Sequence, residues 1–185
     1  MKKSILPKPH IFLAAGGTGG HIFPAEALAS ELISKGYKLS LLTDKRGIKL
    51  SKAVSNLSTY AVRSGGVSGK GYLGKAISLI NIFIGSIQAL FLCVRMKPKI
   101  VVGFAAESEN LFDNAKSKLE KKGCDLIVAN DVSNNEIGFE SDFNEVHLFY
   151  KDKNIDDEKI PKNFKSVIAD ELIKKITNKF NFFND

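Results

Sequence analysis

Residues 16–21 read GGTGGH, four glycines around Thr18 that run straight into His21. Glycines let a backbone approach a phosphate closely, and a helix starting there would add unpaired N–H groups and a positive dipole end. A neutral imidazole beside such a loop can accept a hydroxyl proton near pH 7, which makes His21 a candidate general base. Two plainer readings stand beside these: a tight strand-to-helix turn without a ligand, and a histidine that only makes a structural hydrogen bond. The loop lacks the Lys-Ser/Thr of a nucleotide P-loop and the third glycine of a dinucleotide fingerprint. Further along, Lys118 and Lys122 stand four residues apart. That spacing puts both ammonium groups on one helical face, able to grip one polyanion or simply to be solvated. The only histidines are His10, His21 and His147, and Cys93 and Cys124 sit in apolar segments without a CxxC pairing. No metal site and no disulfide framework is expected, and the cysteine usage fits a reducing cytoplasm.

The elements that would position these residues are legible as hydrophobic periodicity. HIFLAAG (10–16) and KLSLLTD (38–44) read as strands, with a third over 57–62. Between the first two, Ala25, Leu28, Ala29, Leu32 and Ile33 form one apolar helical face, with Pro24 near the first turn and Gly36 as the stop. Residues 63–74 hold five glycines and no acid, a basic flexible loop. KIVVGF (99–104), DLIVAN (125–130) and 145–150 read as further strands. A helix over 109–122 ends at Gly123, a polar loop covers 131–142, and 164–180 forms a C-terminal amphipathic helix. Asn130 and Asp131 end a strand at the ligand-facing edge expected of a parallel sheet, where they either meet a ligand or make an Asx turn. Alternating strands and helices predict an α/β fold, a Rossmann-like parallel sheet with helices on both faces.

The 185 residues carry a net charge of +7, but the charge is divided unevenly. Residues 1–97 hold 14 Lys+Arg against 3 Asp+Glu, whereas residues 98–185 hold 13 against 17. An anion-facing first half follows, and phosphate-bearing substrates or lipid headgroups fit it. The basic half has no interleaving of aromatic and basic residues and no nucleic-acid-binding module, so no nucleic acid is expected as partner. Residues 76–94 run without a charge between Lys70 and Lys75 on one side and Arg95 and Lys97 on the other. As a helix this stretch would reach about 28 Å, close to a bilayer core. Ser78, Asn81, Gly85 and Gln88 fall on one stripe of it. A transmembrane span, a buried core helix and an interfacial helix are the three alternatives, and the stripe with its flanking lysines favours the interfacial one. That makes an anionic membrane surface a partner through residues 70–97.

GGTGGHIFPAEALASEL (16–32), LLTDKRG (41–47), SGGVSGKG (64–71) and KPKIVVG (97–103) together resemble the MurG family, the N-acetylglucosaminyltransferases of lipid II synthesis in peptidoglycan biosynthesis. The resemblance covers roughly residues 8–104. It implies the N-terminal, acceptor-holding Rossmann-like domain of a GT-B glycosyltransferase, cytoplasmic and peripheral on the inner face of the plasma membrane. By position it implies that Gly17, Thr18, Gly19 and Gly20 bind the diphosphate of an undecaprenyl-diphosphate-linked acceptor. It implies His21 as the base for the attacking sugar hydroxyl.

After Gly103 the sequence departs from that family, which should continue with a glycine-rich loop and a second, UDP-N-acetylglucosamine-holding domain. Instead GFAAE (103–107), the Lys118/Lys122 helix, DLIVANDVS (125–133) and GFESDFNEV (138–146) resemble the C-terminal part of phosphopantothenoylcysteine synthetase, the CoaB half of the bifunctional coenzyme A enzyme. This second resemblance runs from about residue 99 to 180. It implies a CTP-dependent ligase in which Phe104 lines the cytidine site and Lys118 and Lys122 meet the triphosphate of Mg-CTP, and it implies a homodimer. The segments of that family that bind the acid and stabilise its cytidylate have no counterpart upstream of Lys99. The expectation is therefore a fusion near residues 97–104, with residues 1–103 a partial glycosyltransferase domain and 104–185 a partial synthetase region.

Three functions are carried forward. One is a truncated relative of the lipid II-forming glycosyltransferase with little or no turnover, which the longer signature segment favours. The others are a CTP-dependent phosphopantothenate–cysteine ligase relative and a non-catalytic fusion remnant. No tightly bound cofactor is expected. The interior side chains of the two halves derive from different families, and mismatched packing at the seam would cost about 1–3 kcal/mol per overpacked site.

Overall fold

Strand β1 (His10–Ala14) is buried at Ile11, Phe12 and Leu13, so it is covered on both faces, as a central parallel strand must be. The computed structural model describes residues 8–51, 57–66, 71–107, 109–131 and 141–182. From β1 the chain runs through α1 (Gly19–Ser34), β2 (Lys38–Thr43), α2 (Lys45–Leu50), β3 (Ser58–Ala61), α3 (Tyr72–Met96) and β4 (Ile100–Glu107). It continues through α4 (Leu111–Lys122), β5 (Leu126–Asp131), β6 (Phe143–Tyr150), β7 (Glu158–Phe164) and α5 (Lys165–Lys179). Among these elements one seven-stranded sheet has the order β3-β2-β1-β4-β5-β6-β7. Strands β1 to β5 are parallel, while β6 and β7 pair antiparallel, so the expected parallel sheet is mixed at one edge.

The stretch where the two resemblances meet becomes a central strand. β4 pairs with β1 on one side, Ile11 opposite Ile100 and Leu13 opposite Val102, and with β5 on the other, from Val102–Leu126 to Glu107–Asp131. Side chains from both halves interleave across one face. Ala25, Leu28 and Leu32 of α1 share a core with Ile168, Leu172 and Ile176 of α5, over Leu13, Phe104, Val128 and Val146. Lys35 on α1 also pairs with Asp170 on α5 at 3.2 Å. The opposite face is covered by α4, where Ala115 and Leu119 pack on Ala105, Ile127, Ala129 and Phe149. A solvent-open cleft of about 370 Å³ remains between α1 and α5, lined in part by Ala27, Phe104, Asn144, Lys165 and Ala169.

Several elements differ from expectation for clear physical reasons. β4 runs on to Glu107, because pairing with β5 supports its last three residues. β7 was not foreseen; its sequence EKIPKNF buries only Ile160 and carries Pro161, which an edge strand tolerates. α2 was not foreseen either, being six residues long and dependent on its cap, Asp44. α1 begins at Gly19, so Pro24 lies inside the helix rather than in its first turn. Parts of the two expected loops, residues 67–70 with Lys70 and residues 132–140, lie outside the described residues.

α3 is built inside out relative to a soluble helix. Its 25 residues would span about 37 Å. Ser78 and Gly85 are buried and Asn81 and Gln88 half-buried, so the polar stripe faces the protein. Outside lie Tyr72, Leu73, Ile77, Leu79, Ile80, Ile82, Phe83, Ile87, Leu90, Phe91 and Val94, each at least 40% exposed. The stripe is tied to residues 63–66: Ser78 Oγ donates to the Gly66 carbonyl at 2.8 Å, and Arg63 N–H donates to Gln88 Oε1 at 2.9 Å. A β-carbon at Gly85 would fall 1.9 Å from the Arg63 carbonyl oxygen, so only glycine permits this approach.

Candidate functional site

Parallel strands place their C-terminal ends together, and the order β2-β1-β4-β5 puts a switch point between β1 and β4, where α/β sheets receive ligands. The glycine loop leaves β1 at this edge. Thr18 is the N-cap of α1, yet its side chain makes no cap hydrogen bond; its hydroxyl lies 2.6 Å from His21 Nδ1 instead. The side chain that ordinarily satisfies first-turn N–H groups is thus committed elsewhere, at the start of a 16-residue helix whose first two residues are glycines. A β-carbon on Gly20 would come 3.2 Å from Ala106 Cβ, so α1 starts directly against the end of β4.

Gly17 is buried and holds a second constraint. An added β-carbon there would lie 1.9 Å from Asp44 Oδ1, so the Asp44 carboxylate occupies the space a side chain would need. Asp44 accepts from Arg46 N–H at 2.8 Å, Gly47 N–H at 3.0 Å, Ser64 Oγ at 2.9 Å and the Arg46 guanidinium at 2.8 Å. Burial alone would raise its carboxyl, but these donors bring it down to about 2. In the sequence Asp44 stands between a strand and a short basic run, an N-cap pattern that carries no sign of its contact with Gly17.

His21 is held neutral. Burial lowers its pKa to about 4, Lys118 and Lys122 push in the same direction, and Glu107 opposes them. The structure therefore brings the glycine-loop histidine and the two lysines into one electrostatic neighbourhood. Lys118 forms an ion pair with Glu107 at the end of β4, whose side chain is only 9% exposed, while Lys122 is exposed. Between pH 6.5 and 4 the unfolded chain takes up a proton at this histidine that the folded chain refuses. Stability from this group is complete above about pH 6.5 and is lost as the pH falls toward 4. A His21→Gln variant should flatten that part of a stability-versus-pH curve measured by urea unfolding; an unchanged slope would mean His21 is not the group responsible.

Phe104 goes elsewhere. It is 7% exposed in the core beneath α1 and α5, on the sheet face opposite α4 and its lysines. Near it a smaller cleft of about 210 Å³ is lined by Gly19, Gly20, Phe23, Pro24, Asn130, Asn144 and Lys165. Asn130 is 4% exposed, and its Oδ1 has no hydrogen-bond partner among the described residues. Burial pushes the Cys124 thiol up to about 11, away from nucleophilic chemistry. No group of three or more His, Cys, Asp or Glu side chains that could hold a metal ion is found among the described residues.

Two family models match the chain. The glycosyltransferase family 28 N-terminal domain matches residues 11–120, and the DNA/pantothenate metabolism flavoprotein C-terminal domain matches residues 88–180. Their overlap contains the 97–104 stretch. A UDP-N-acetylglucosamine--N-acetylmuramyl-(pentapeptide) pyrophosphoryl-undecaprenol N-acetylglucosamine transferase of Rhodospirillum rubrum is 53% identical over 95 residues, covering 51% of this chain and 24% of that protein. The enzyme of the same name from Paramagnetospirillum magneticum is 48% identical over 97 residues, covering 52% and 26%. The chain thus spans about a quarter of the length of the curated relatives it matches. Among solved structures, the C-terminal domain of the coenzyme A biosynthesis bifunctional protein CoaBC matches 95% of this chain and 99% of its own, with a TM-score of 0.55 and 20% identity, a likeness of fold.

Proposed function

Because this chain belongs to two families at once, the glycosyltransferase family 28 N-terminal domain and the DNA/pantothenate metabolism flavoprotein C-terminal domain fused in one sheet, we propose that it binds a lipid-linked diphosphate at the membrane surface and carries out little or no sugar transfer. The observation that carries this reading is the join between loop and helix: the uncapped glycine loop and the outward apolar face of α3 are bridged by residues 63–66. The diphosphate lies at Gly17, Thr18, Gly19 and Gly20, facing the α1 N-terminus. Its isoprenoid tail follows the apolar face of α3 in the interfacial lipid, with Lys75, Arg95 and Lys97 against anionic headgroups. The hydrogen bonds of Ser78 and Gln88 to residues 63–66 support a helix lying on the protein rather than crossing the bilayer.

In this reading His21 retains the chemistry of a base. In the tautomer that donates Nδ1–H to Thr18 Oγ1, Nε2 carries the lone pair of a base, and the low pKa keeps the ring neutral at pH 7. β4 lies within both family matches, and β5, β6 and β7, which complete the sheet beside it, fall in the second alone. Flotation with vesicles that contain undecaprenyl diphosphate tests the proposal.

A second reading, CTP binding in the manner of the ligase, is favoured by the cleft that joins Gly19 and Gly20 to the unpartnered Asn130. The position of Phe104 and the two lysines on opposite faces of the sheet weighs against one nucleotide touching all three. A thermal melt raised by Mg-CTP and unmoved by pyrophosphate would select this second reading.

A further inference from the structure

A series of contacts links α3 to the glycine loop: hydrogen bonds between α3 and residues 63–66, one from Ser64 to Asp44, and close packing of the Asp44 carboxylate on Gly17. α3 is fastened to residues 63–66 by Gln88 on the Arg63 N–H, by Ser78 on the Gly66 carbonyl, and by the close approach at Gly85. Ser64, within that strip, donates to Asp44 Oδ2. Asp44, 7% exposed, lies against Gly17 so tightly that no side chain fits between them. The ordinary role of such an Asp, capping a helix, accounts for Oδ1, which takes the Arg46 and Gly47 N–H groups of α2. The Arg46 guanidinium pairs locally with Oδ2 as well, but neither role accounts for the bond that Oδ2 accepts from Ser64 or for the carboxylate's position over Gly17.

We infer that Asp44 is a positioning residue that couples the apolar helix to the glycine loop, holding the loop in its anion-receiving shape through Ser64 while α3 is seated on residues 63–66. The inference rests on the reading of the glycine loop as a diphosphate site. A change in how α3 sits, as when its outer face enters a lipid surface, moves residues 63–66. That movement shifts the carboxylate and with it the Gly17 backbone. The ligand class is thus gated by the surface the helix meets.

The test avoids removing the cap of α2. Ser64→Ala and Gln88→Ala are made singly and together, and affinity for inorganic pyrophosphate is measured by calorimetry. Each single change weakens binding about fivefold, the scale of one ordinary hydrogen bond. Because both break the same series, the double variant is no weaker than the weaker-binding single; a loss equal to the product of the two would overturn the coupling. Amide hydrogen exchange gives a readout that needs no ligand. His21 and Ile22 N–H groups, both bonded to the Thr18 carbonyl, exchange about fivefold faster in Ser64→Ala, while β5 amides such as Val128 keep their rates. Unchanged exchange at His21 and Ile22 would also overturn the inference. If the wild-type chain ignores pyrophosphate, the diphosphate reading falls, and the exchange rates still decide the coupling.

Discussion

Replacing Phe83 and Leu90 together with glutamine should weaken binding to anionic vesicles about 100-fold. Both side chains stand on the outer face of α3, 67% and 65% exposed. Inserting a large apolar side chain into an apolar phase contributes about 1.5–3 kcal/mol when its burial is complete. Two partly inserted residues therefore contribute roughly 3 kcal/mol, near a hundredfold. Glutamine keeps the helix propensity and adds no charge, so the loss cannot be ascribed to unfolding of α3 or to repulsion. Because these residues touch little of the protein, the melting temperature should hardly move. Raising salt should weaken wild-type binding as well, through Lys75, Arg95 and Lys97. A double variant that floats with vesicles as well as wild type would remove α3 as the membrane contact.

The second large effect is expected at Gly17. An alanine there would put its β-carbon 1.9 Å from Asp44 Oδ1, 2.6 Å from Cγ and 2.8 Å from Oδ2. The carboxylate has no easy retreat, since donors from Arg46, Gly47 and Ser64 fix both oxygens. Relief must come from the backbone of the glycine loop. Overpacking of this kind costs about 1–3 kcal/mol, a sizeable part of a total stability of about 5–15 kcal/mol. Pyrophosphate affinity should fall at least about tenfold, because the N–H groups of the loop no longer converge. Gly71→Ala is the matched control, since a β-carbon there meets nothing within 4 Å. Equal affinity in the Gly17 and Gly71 variants, read by calorimetry, would mean the loop does not hold the anion.

How much of this was written in the sequence varies residue by residue. Strands β1, β2, β4 and β5 follow from short apolar runs ended by glycine or by Asn and Asp, because central parallel strands must be apolar on both faces. β7 was illegible for the opposite reason. It is an edge strand with lysines at 159 and 162 and a proline between them, and its order comes from pairing with β6 across a register shift at Asn144/Val146. The glycine loop and His21 could be read from residue type alone, but their environment could not. The acidity of His21 comes first from burial and then from Lys118 and Lys122, about a hundred residues away, and nothing local in GGTGGH announces either. The stripe Ser78, Asn81, Gly85 and Gln88 was visible as a stripe; only the fold shows that it faces inward and that the apolar side chains face out. Phe104 owes its role to the second resemblance alone; its placement follows from strand alternation, which turns Ala105 and Glu107 toward α4 and Phe104 toward α1 and α5, where it lines their cleft.

Joining two families within one strand could have left a disordered seam. The seam here is a parallel strand with a full register on both sides, and the covering helices come from both halves. Shared α/β layering explains why this is permitted: helices α1 and α5, one from each half, share one face of the sheet, and α4 covers the other. The function proposed for the chain, binding of a lipid-linked diphosphate, rests accordingly on the glycine loop and on the outward apolar face of α3.

The measurement closest to that claim is flotation of the wild-type chain with vesicles matched in anionic charge, one set carrying undecaprenyl diphosphate and the other undecaprenyl monophosphate with added phosphatidylglycerol. The account predicts binding to both through α3, with at least about tenfold tighter binding to the diphosphate set, and loss of that preference in Gly17→Ala. Equal binding to the two sets, or a preference that survives in Gly17→Ala, would contradict it.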